Sequence, residues 1–368
     1  MAVNNKLGFG FLRLDNCKTP DGEYDWESIS KFTDRFIELG GRYFDTCYTY
    51  LDGKSEEGIR KCVVERHPRE SYCIANKMPG YNCKEYADCR RFFDESLKRC
   101  GVDYFDVYML HWLNRKHYRI AEEVDEFRFL REVKASGEAK YIGFSYHDSA
   151  ELLDEILTAH PEVDVVQIQL NYIDWESSGI ESRKCYEVCV KHGKKVVVMG
   201  PIKGGQLASL PEAADELLKS ARPDFVPADW ALNFVQSLPE VAVCLSGMAS
   251  TAQVEENMHD MVKLTESDLK LLSRVRTIIM DNTAIPCTTC GYCRSHCPKS
   301  IRIPDYFKMY NEISRYPRDA WKVKPTYEQY AAGYGKASDC ISCRRCESHC
   351  PQNIKIADMM KCVAEKLG

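Results

Sequence analysis

The sequence has no long hydrophobic run: nowhere do about 18 apolar residues follow one another, as a membrane-spanning helix requires. The first residues, MAVNNKLGFGF, lack the basic stretch followed by an apolar stretch that marks a secretory leader. An excess of basic residues is also missing, and the net charge of -5 argues against a nucleic-acid-binding chain. We therefore expect a soluble, cytoplasmic protein that binds neither membrane nor nucleic acid.

Apolar residues are nevertheless numerous enough for a sizeable core. Of the 368 residues, 44% are hydrophobic and 29% are charged, proportions typical of globular domains. One ordinary domain has about 100–150 residues, so this length predicts two domains.

Cysteine is abundant, at 19 residues. Eight of them crowd into two short segments near the C-terminus, and the other eleven show no pairing pattern. Without a secretory leader a disulfide framework is not expected, so we predict that most of the eleven are buried as small hydrophobic side chains. They are Cys17, Cys47, Cys62, Cys73, Cys83, Cys89, Cys100, Cys185, Cys189, Cys244 and Cys362.

From residue 6 to about residue 260, short apolar runs rich in β-forming residues alternate with longer segments of helical periodicity. The helical segments include Trp26–Leu39, Tyr86–Cys100 and Ala150–His160. Eight βα units in about 250 residues are typical of a closed (β/α)8 TIM barrel, so we predict an α/β fold with such a barrel over residues 1–280. The predicted strands are residues 7–14, 42–46, 72–77, 105–112, 141–145, 165–170, 196–200 and 241–247.

The C-terminal part predicts a second, smaller domain over residues 281–368. A helix start is expected at Thr265, with Asp268 three residues later, and turn residues then place the boundary near 280–285. The aromatic, charge-rich stretch Tyr306–Lys324 is either a docking face for a partner or a packed linker. Residues 354–368 predict a closing amphipathic helix.

Polar residues end five consecutive predicted strands, those numbered two to six. Active sites of β/α barrels lie at the C-terminal ends of their strands, so these residues are read as one set. Singly, each also fits a helix cap, a solvated end or a structural histidine, but ionisable groups are rarely buried without partners. Together they predict a catalytic site. They are Asp45, Lys77, His111, Ser145 and Gln167.

The two cysteine segments share one spacing, C-x2-C-x2-C-x3-C-P, and both resemble the bacterial ferredoxin motif that binds two [4Fe–4S] clusters. The resemblance implies a small α+β ferredoxin-like domain, single-electron transfer and a redox partner protein. It also implies crossed ligands, in which the fourth cysteine of each segment reaches the cluster of the other. One cluster is then bound by Cys287, Cys290, Cys293 and Cys350, and the other by Cys340, Cys343, Cys346 and Cys297.

Two alternatives to redox clusters stay open. Paired C-x2-C steps also form zinc ribbons, although zinc requires neither the third step nor the C-x3-C-P ending. The clusters could also serve only to hold a small domain together.

The segment FDTCYTYLDGKSEEGIRK, together with IANK and YMLHW, resembles the aldo-keto reductase superfamily and its D-T-A-x-x-Y signature. The whole chain resembles the subgroup of that superfamily fused to a ferredoxin tail. The resemblance implies a catalytic tetrad of Asp45, Tyr50, Lys77 and His111. A phenol has a pKa of about 10, so Tyr50 needs the Lys77 cation to act as proton donor. Asp45 would orient Lys77, and His111 would bind the substrate carbonyl. Tyr48 is a nearby alternative to Tyr50 as the proton donor.

No G-x-G-x-x-G motif stands at a strand–helix junction, so a Rossmann mode of nucleotide binding is unsupported. The resemblance implies that the barrel binds NADP or NAD, with Ser145 and Gln167 on the carboxamide and Asn171 as a weaker candidate. Many members have an arginine for the 2′-phosphate where this chain has Gln253, which leaves the choice between NADP and NAD open. The implied phosphate contacts, whose glycines could equally be ordinary turn residues, are Gly200, Pro201, Gly204, Gly205, Gly247, Gln253 and Asn257.

Two functions follow as hypotheses. The first is an oxidoreductase that interconverts a small carbonyl compound and its alcohol with NAD(P)(H), while two [4Fe–4S] clusters pass single electrons to or from a partner. Because nicotinamide transfers two electrons together, coupling the two reactions requires an intermediary such as a flavin or a second protein. The alternative is an iron–sulfur electron-transfer subunit whose barrel is mainly a docking module.

Overall fold

The computed structural model describes residues 6–14, 16–177, 180–281, 283–315 and 320–368. Two compact units make up the chain. The first comprises Met1–Pro201 and Ala231–Leu264, and the second comprises Ile202–Trp230 and Thr265–Gly368. The domain limits of 1–280 and 281–368 stay a prediction. Residues 316–319, part of the stretch interpreted as docking face or linker, lie outside the described residues.

The first unit contains eight parallel strands that close into a barrel in chain order, with β1 paired to both β2 and β8. This confirms the predicted (β/α)8 architecture. The main difference is that β1 ends at Gly10, because the apolar run continues as a buried turn that includes Phe11 and Leu14. The strands are β1 Leu7–Gly10, β2 Tyr43–Asp45, β3 Cys73–Met78, β4 Phe105–Leu113, β5 Ala139–Tyr146, β6 Val165–Gln169, β7 Lys195–Met199 and β8 Val241–Ser246.

Helices occupy most of the intervening sequence, and those predicted from periodicity are present. Among the described residues, no helix is both long enough and apolar enough to cross a bilayer. The helices are α1 Trp26–Glu38, α2 Ser55–Ile59, α3 Tyr86–Cys100, α4 Arg115–Val124, α5 Glu126–Ala135, α6 Ala150–Ala159, α7 Ser182–Lys191, α8 Glu212–Ala221, α9 Pro227–Gln236, α10 Thr251–Asn257, α11 Glu266–Asp281, α12 Ile303–Arg315, α13 Ala320–Gly333 and α14 Ile356–Leu367.

Helix α1 illustrates how the sequence forms these elements. Asp25 caps its N-terminus by accepting a hydrogen bond from the Ser28 N–H at 3.0 Å. Ile29, Phe32 and Phe36 recur at helical spacing and are buried on one face. Burying side chains of this size stabilises packing by about 1.5–3 kcal/mol each.

Strands β5 and β6 approach each other closely at Gly143. A Cβ atom at this position would lie 2.1 Å from the Val165 carbonyl oxygen, so a larger residue would push the strands apart. The same register pairs Ser145 with Gln167. The two residues implied to bind a carboxamide are therefore neighbours on adjacent strands.

In the second unit, each cysteine segment is followed by a helix: α12 follows the first and α14 the second. The predicted C-terminal helix is thus confirmed. His296 and His349, which precede the fourth cysteines of the two segments, stack with ring centroids 3.4 Å apart and planes at 2°. Within the described part of this unit, β structure is limited to one isolated parallel bridge between Ile301 and Gly335.

Candidate active site and cysteine centre

Asp45 and Lys77 form a buried ion pair at the C-terminal ends of β2 and β3. Lys77 Nζ lies 2.6 Å from Asp45 Oδ1 and donates a second hydrogen bond to the Thr46 carbonyl oxygen at 2.9 Å. Burial raises the pKa of Asp45, and the neighbouring Lys77 ammonium opposes that rise. The pair therefore fixes a cation at a defined point of the site.

The ring of Tyr50 lies beside this cation. Lys77 Nζ is 4.9 Å from the Tyr50 ring centroid, and the same ring meets His111 edge-on at a centroid distance of 5.6 Å. Tyr50 begins the short turn Tyr50–Gly53 after β2, whereas His111 belongs to β4. The structure thus brings together all four residues of the implied tetrad.

Tyr48, the alternative proton donor, has other partners. Its hydroxyl donates to Glu95 Oε2 at 2.8 Å and accepts from Arg99 Nη2 at 3.2 Å. Its ring packs edge-on against Phe92 at 5.0 Å. The geometry therefore favours Tyr50 over Tyr48 as the acid.

His111 is buried and electrically neutral at neutral pH. Burial is the main cause that holds its pKa well below the usual range, and the positive charge of Lys77 lowers the pKa further. A neutral imidazole offers one N–H donor and one acceptor. This state suits a hydrogen bond to a carbonyl oxygen better than proton transfer.

Ser145 and Gln167 present complementary polar atoms. Ser145 Oγ accepts a hydrogen bond from the Trp112 N–H at 2.7 Å, which leaves the hydroxyl hydrogen able to donate elsewhere. Gln167 Nε2 donates to Asp45 Oδ2 at 3.4 Å, while Gln167 Oε1 is buried without a partner among the described residues. An unsatisfied buried acceptor costs about 1–3 kcal/mol, so an amide N–H from a ligand would stabilise it. The pair fits the carboxamide of a nicotinamide.

The segment after β7 contains the first group of implied phosphate contacts. Gly200 adopts a positive φ of 67°, and its carbonyl oxygen accepts from Asn171 Nδ2 at 3.1 Å, so Asn171 supports the end of β7. In the second unit, Gly204 and Gly205 have φ values of 69° and 92°. A Cβ atom at Gly205 would meet nothing within 4 Å, which leaves its backbone open to close approach.

The second group of implied phosphate contacts follows β8. Its side chains form hydrogen bonds mainly within the same loop. Gln253 Oε1 accepts from the Ala249 N–H at 2.8 Å, and Asn257 Nδ2 donates to Ser246 Oγ at 3.2 Å. A Cβ atom at Gly247 would lie 3.0 Å from Arg13 Cβ, which gives this glycine a packing role. Nucleotide contacts by Gly247, Gln253 and Asn257 stay a prediction.

All nineteen cysteines are free thiols in the structure. Of the eleven scattered ones, nine are buried and Cys73 and Cys362 are partly exposed, as expected for small hydrophobic side chains. Among the eight clustered ones, Cys293 and Cys346 are buried and Cys343 is exposed.

Cys293 and Cys346 each have cysteine neighbours in the other segment. Burial is the main cause that raises the pKa of Cys293, followed by Cys290, Cys287, Cys350 and, more weakly, Cys346. The fourth cysteine of the second segment is therefore close to the first segment.

In the same way, the fourth cysteine of the first segment, Cys297, is a neighbour of Cys346 in the second segment. The pKa of Cys346 is raised to about 11, first by burial and then by neighbours that include Cys340 and Cys297. Among the described residues, no group of three or more histidine, cysteine, aspartate or glutamate side chains is compact enough for a single metal ion. Eight thiols, four for each of two clusters, are the donor set that the ferredoxin motif uses.

The comparison with protein families agrees with this geometry. Residues 6–276 match the model of the aldo/keto reductase family. The chain belongs to this family. Residues 252–354 match the model of a 4Fe–4S dicluster domain. The chain is therefore an aldo/keto reductase that also carries such a domain.

Curated relatives resemble the reductase over most of its barrel. A 9,11-endoperoxide prostaglandin H2 reductase from Trypanosoma cruzi is 22% identical over 244 residues, which is 65% of this chain and 79% of the relative. An L-galactose dehydrogenase from Arabidopsis thaliana is 27% identical over 295 residues, which is 74% of this chain and 90% of the relative.

Solved structures share the fold of the reductase. An aldo-keto reductase from Klebsiella pneumoniae in complex with NADPH aligns with a TM-score of 0.60 at 20% identity, covering 75% of this chain and 96% of the other. The holo form of an aldo-keto reductase from Bacillus halodurans aligns with a TM-score of 0.59 at 23% identity, covering 73% of this chain and 91% of the other.

The reductase also has an aromatic group near His111 that was not among the sequence predictions. The Tyr81 ring lies 5.9 Å from the rings of both His111 and Trp112 and stacks on His117 at 5.0 Å. Trp112 has a positive φ of 62°, which is rare outside glycine. The available signal was an aromatic residue at the end of the predicted strand 105–112 and another four residues after the predicted strand 72–77.

Proposed function

We propose that this aldo/keto reductase interconverts a small carbonyl compound and its alcohol with NAD(P)(H), and that its two [4Fe–4S] clusters exchange single electrons with a partner. The observation that carries the proposal is the position of the Lys77 ammonium, paired with Asp45 and 4.9 Å from the ring of Tyr50. A buried cation beside a phenol stabilises the phenolate and so makes the phenol a better acid.

The catalytic side chains act on the substrate oxygen. His111 donates a hydrogen bond to the carbonyl oxygen and so fixes the orientation of the carbonyl group. Tyr50 gives its proton to the same oxygen as the carbon is reduced, and removes that proton in the oxidative direction. Lys77 stabilises the tyrosinate that remains, and Asp45 keeps Lys77 in place.

Ser145 and Gln167 would hold the nicotinamide. The unsatisfied Gln167 Oε1 suits the carboxamide NH2, and the Ser145 hydroxyl suits the carboxamide oxygen. When bound, the nicotinamide supplies or accepts a hydride at the carbonyl carbon. The Klebsiella pneumoniae reductase, which has the same fold, is known in complex with NADPH, and this supports a nicotinamide nucleotide as the cofactor.

The crossed cysteine sets would hold the clusters, one by Cys287, Cys290, Cys293 and Cys350, the other by Cys297, Cys340, Cys343 and Cys346. When bound, each cluster carries one electron at a time. Hydride transfer moves two electrons together. We therefore assign the carbonyl reaction to the barrel residues and single-electron exchange to the clusters, without a direct step between them.

The test uses anaerobically purified protein. Iron and sulfide are quantified, and aldehyde reduction by NADH and by NADPH is measured for the wild type, Tyr50→Phe and the matched control Tyr48→Phe. We expect about eight iron atoms per chain, loss of reduction by roughly 10²-fold or more in Y50F, and activity near wild type in Y48F. Full activity in Y50F would refute the catalytic assignment, and about two iron atoms would refute the clusters.

A further inference from the structure

The two cysteine segments differ sharply in exposure. In the second segment, all five residues 341–345 are exposed, and Ile341 retains 59% of its accessible surface. At the equivalent positions of the first segment, residues 288–292, every residue is buried or partly exposed. Since the two segments share one spacing, this difference comes from what packs against each of them.

The first segment contacts the loop Lys203–Ala208, which lies in the same unit. Gln206 Nε2 donates a hydrogen bond to the Cys287 carbonyl oxygen. Lys203 Nζ donates to Gln352 Oε1 at 3.2 Å, and Gln352 stands two residues after Cys350. Cys287 and Cys350 belong to the same proposed cluster, which we term the inner cluster. It therefore lies beside the loop that supplies Gly204 and Gly205.

The outer cluster, proposed to be bound by Cys297, Cys340, Cys343 and Cys346, has an open face at 341–345. This loop contains two arginines and no acidic residue. Arg344 pairs with Glu347 at 3.2 Å and with Asp358 at 3.0 Å. No carboxylate in the described part of the chain pairs with Arg345. An exposed apolar side chain and an uncompensated guanidinium in one loop suit a transient, charge-steered protein contact.

We propose that the loop 341–345 is the docking surface for an acidic single-electron carrier protein, and that the outer cluster is the point at which electrons enter or leave. The inference rests on the proposed function, because it requires that both clusters be redox-active. In the transfer step, the reduced carrier loses one electron and the oxidised outer cluster gains it. No covalent bond forms or breaks.

The experiment measures electron transfer into the anaerobic holoprotein from a plant-type [2Fe–2S] ferredoxin, used as an acidic carrier. Stopped-flow absorbance gives the second-order rate constant for wild type, Arg345→Glu and Ile341→Ser at several salt concentrations. Lys299→Glu is the matched control, because it makes the same charge change at an exposed position that lies just after the first segment and outside the loop 341–345. Iron content and the electron paramagnetic signal after dithionite reduction establish that each variant retains both clusters.

We expect R345E to lower the rate constant by about tenfold at low salt and to weaken its salt dependence, since charge steering changes association rates by roughly 10–10³-fold. I341S should lower the rate constant severalfold. K299E should leave the rate constant within about twofold of the wild-type value. Wild-type rates in both R345E and I341S, or an equal loss in K299E, would overturn the proposal. So would a changed oligomeric state of R345E, which would assign this surface to a second copy. If dithionite fails to reduce the wild-type clusters, the proposed function itself is at fault.

Discussion

The Sγ atom of Cys47 lies 3.2 Å from Nδ1 of His111. Burial raises the pKa of the Cys47 thiol to about 11, so the thiol keeps its proton at neutral pH. The Lys77 carbonyl oxygen, at 3.6 Å, is a second acceptor for the thiol proton; if the thiol instead donates to Nδ1, the ring proton lies on Nε2. His111 then presents an N–H donor on the opposite side of its ring, as the proposed bond to a substrate carbonyl requires.

Replacing Cys47 should therefore weaken catalysis modestly. One neutral hydrogen bond contributes about 1 kcal/mol, so Cys47→Ala should lower kcat/KM by roughly fivefold, and Cys47→Ser should retain most activity. The effect should be limited because the family signature has alanine at this position. Steady-state kinetics with a saturating nucleotide measure the change. A kcat/KM of C47A equal to that of wild type would show that the thiol does not set the tautomer.

Breaking the buried Asp45–Lys77 pair should destabilise the barrel. Removing one partner of such a pair leaves an uncompensated buried charge and costs about 3–5 kcal/mol. We expect Lys77→Met to lower Tm clearly, and the double variant Asp45→Asn/Lys77→Met to recover part of the loss. Thermal unfolding under anaerobic conditions, followed by circular dichroism, measures both. A double variant no more stable than K77M would contradict this account.

Glu126 should make the protein less stable as pH rises. It is 1% exposed, and burial raises its pKa to about 8. An unfolded glutamate ionises near pH 4.3, so between about pH 4.5 and 8 unfolding releases a proton and stability falls with rising pH. Above the folded pKa this loss levels off.

Glu126→Gln keeps the shape of the side chain and removes this titration. The difference in free energy of unfolding between E126Q and wild type should be about 3 kcal/mol more favourable to E126Q at pH 8 than at pH 5. Thermal unfolding at both pH values measures the gain, with Glu123→Gln, at an exposed position on the preceding helix, as the control. An equal difference between E126Q and wild type at both pH values would rule out the proposed titration.

Crossed ligation predicts which cysteine substitutions act on the same cluster. Cys297→Ser and Cys343→Ser should impair the outer cluster although they lie in different segments, while Cys350→Ser and Cys287→Ser should impair the inner one. Each substitution should lower the iron content towards about four atoms per chain. Electron paramagnetic spectra of the reduced variants distinguish the two signals. If C297S and C287S instead remove the same signal, ligation is not crossed.

The sequence by itself determined the elements and most residue types of the site. Alternating apolar runs and helical segments depend on local periodicity, so the eight strands and the closed barrel could be predicted. The barrel rule then placed Asp45, Lys77 and His111 at neighbouring strand ends. The cysteine spacing, which is also a local property, indicated the dicluster domain.

Only the tertiary structure decided which of these groups touch. Tyr48 and Tyr50 are equally local in sequence, but the fold turns one towards Glu95 and the other towards Lys77. Contacts such as Cys47 with His111 and Gln206 with Cys287 join residues 64 and 81 positions apart. The exposure of Cys343 likewise depends on what packs against each segment. Such relations arise from how distant segments pack, which no local pattern of residues encodes.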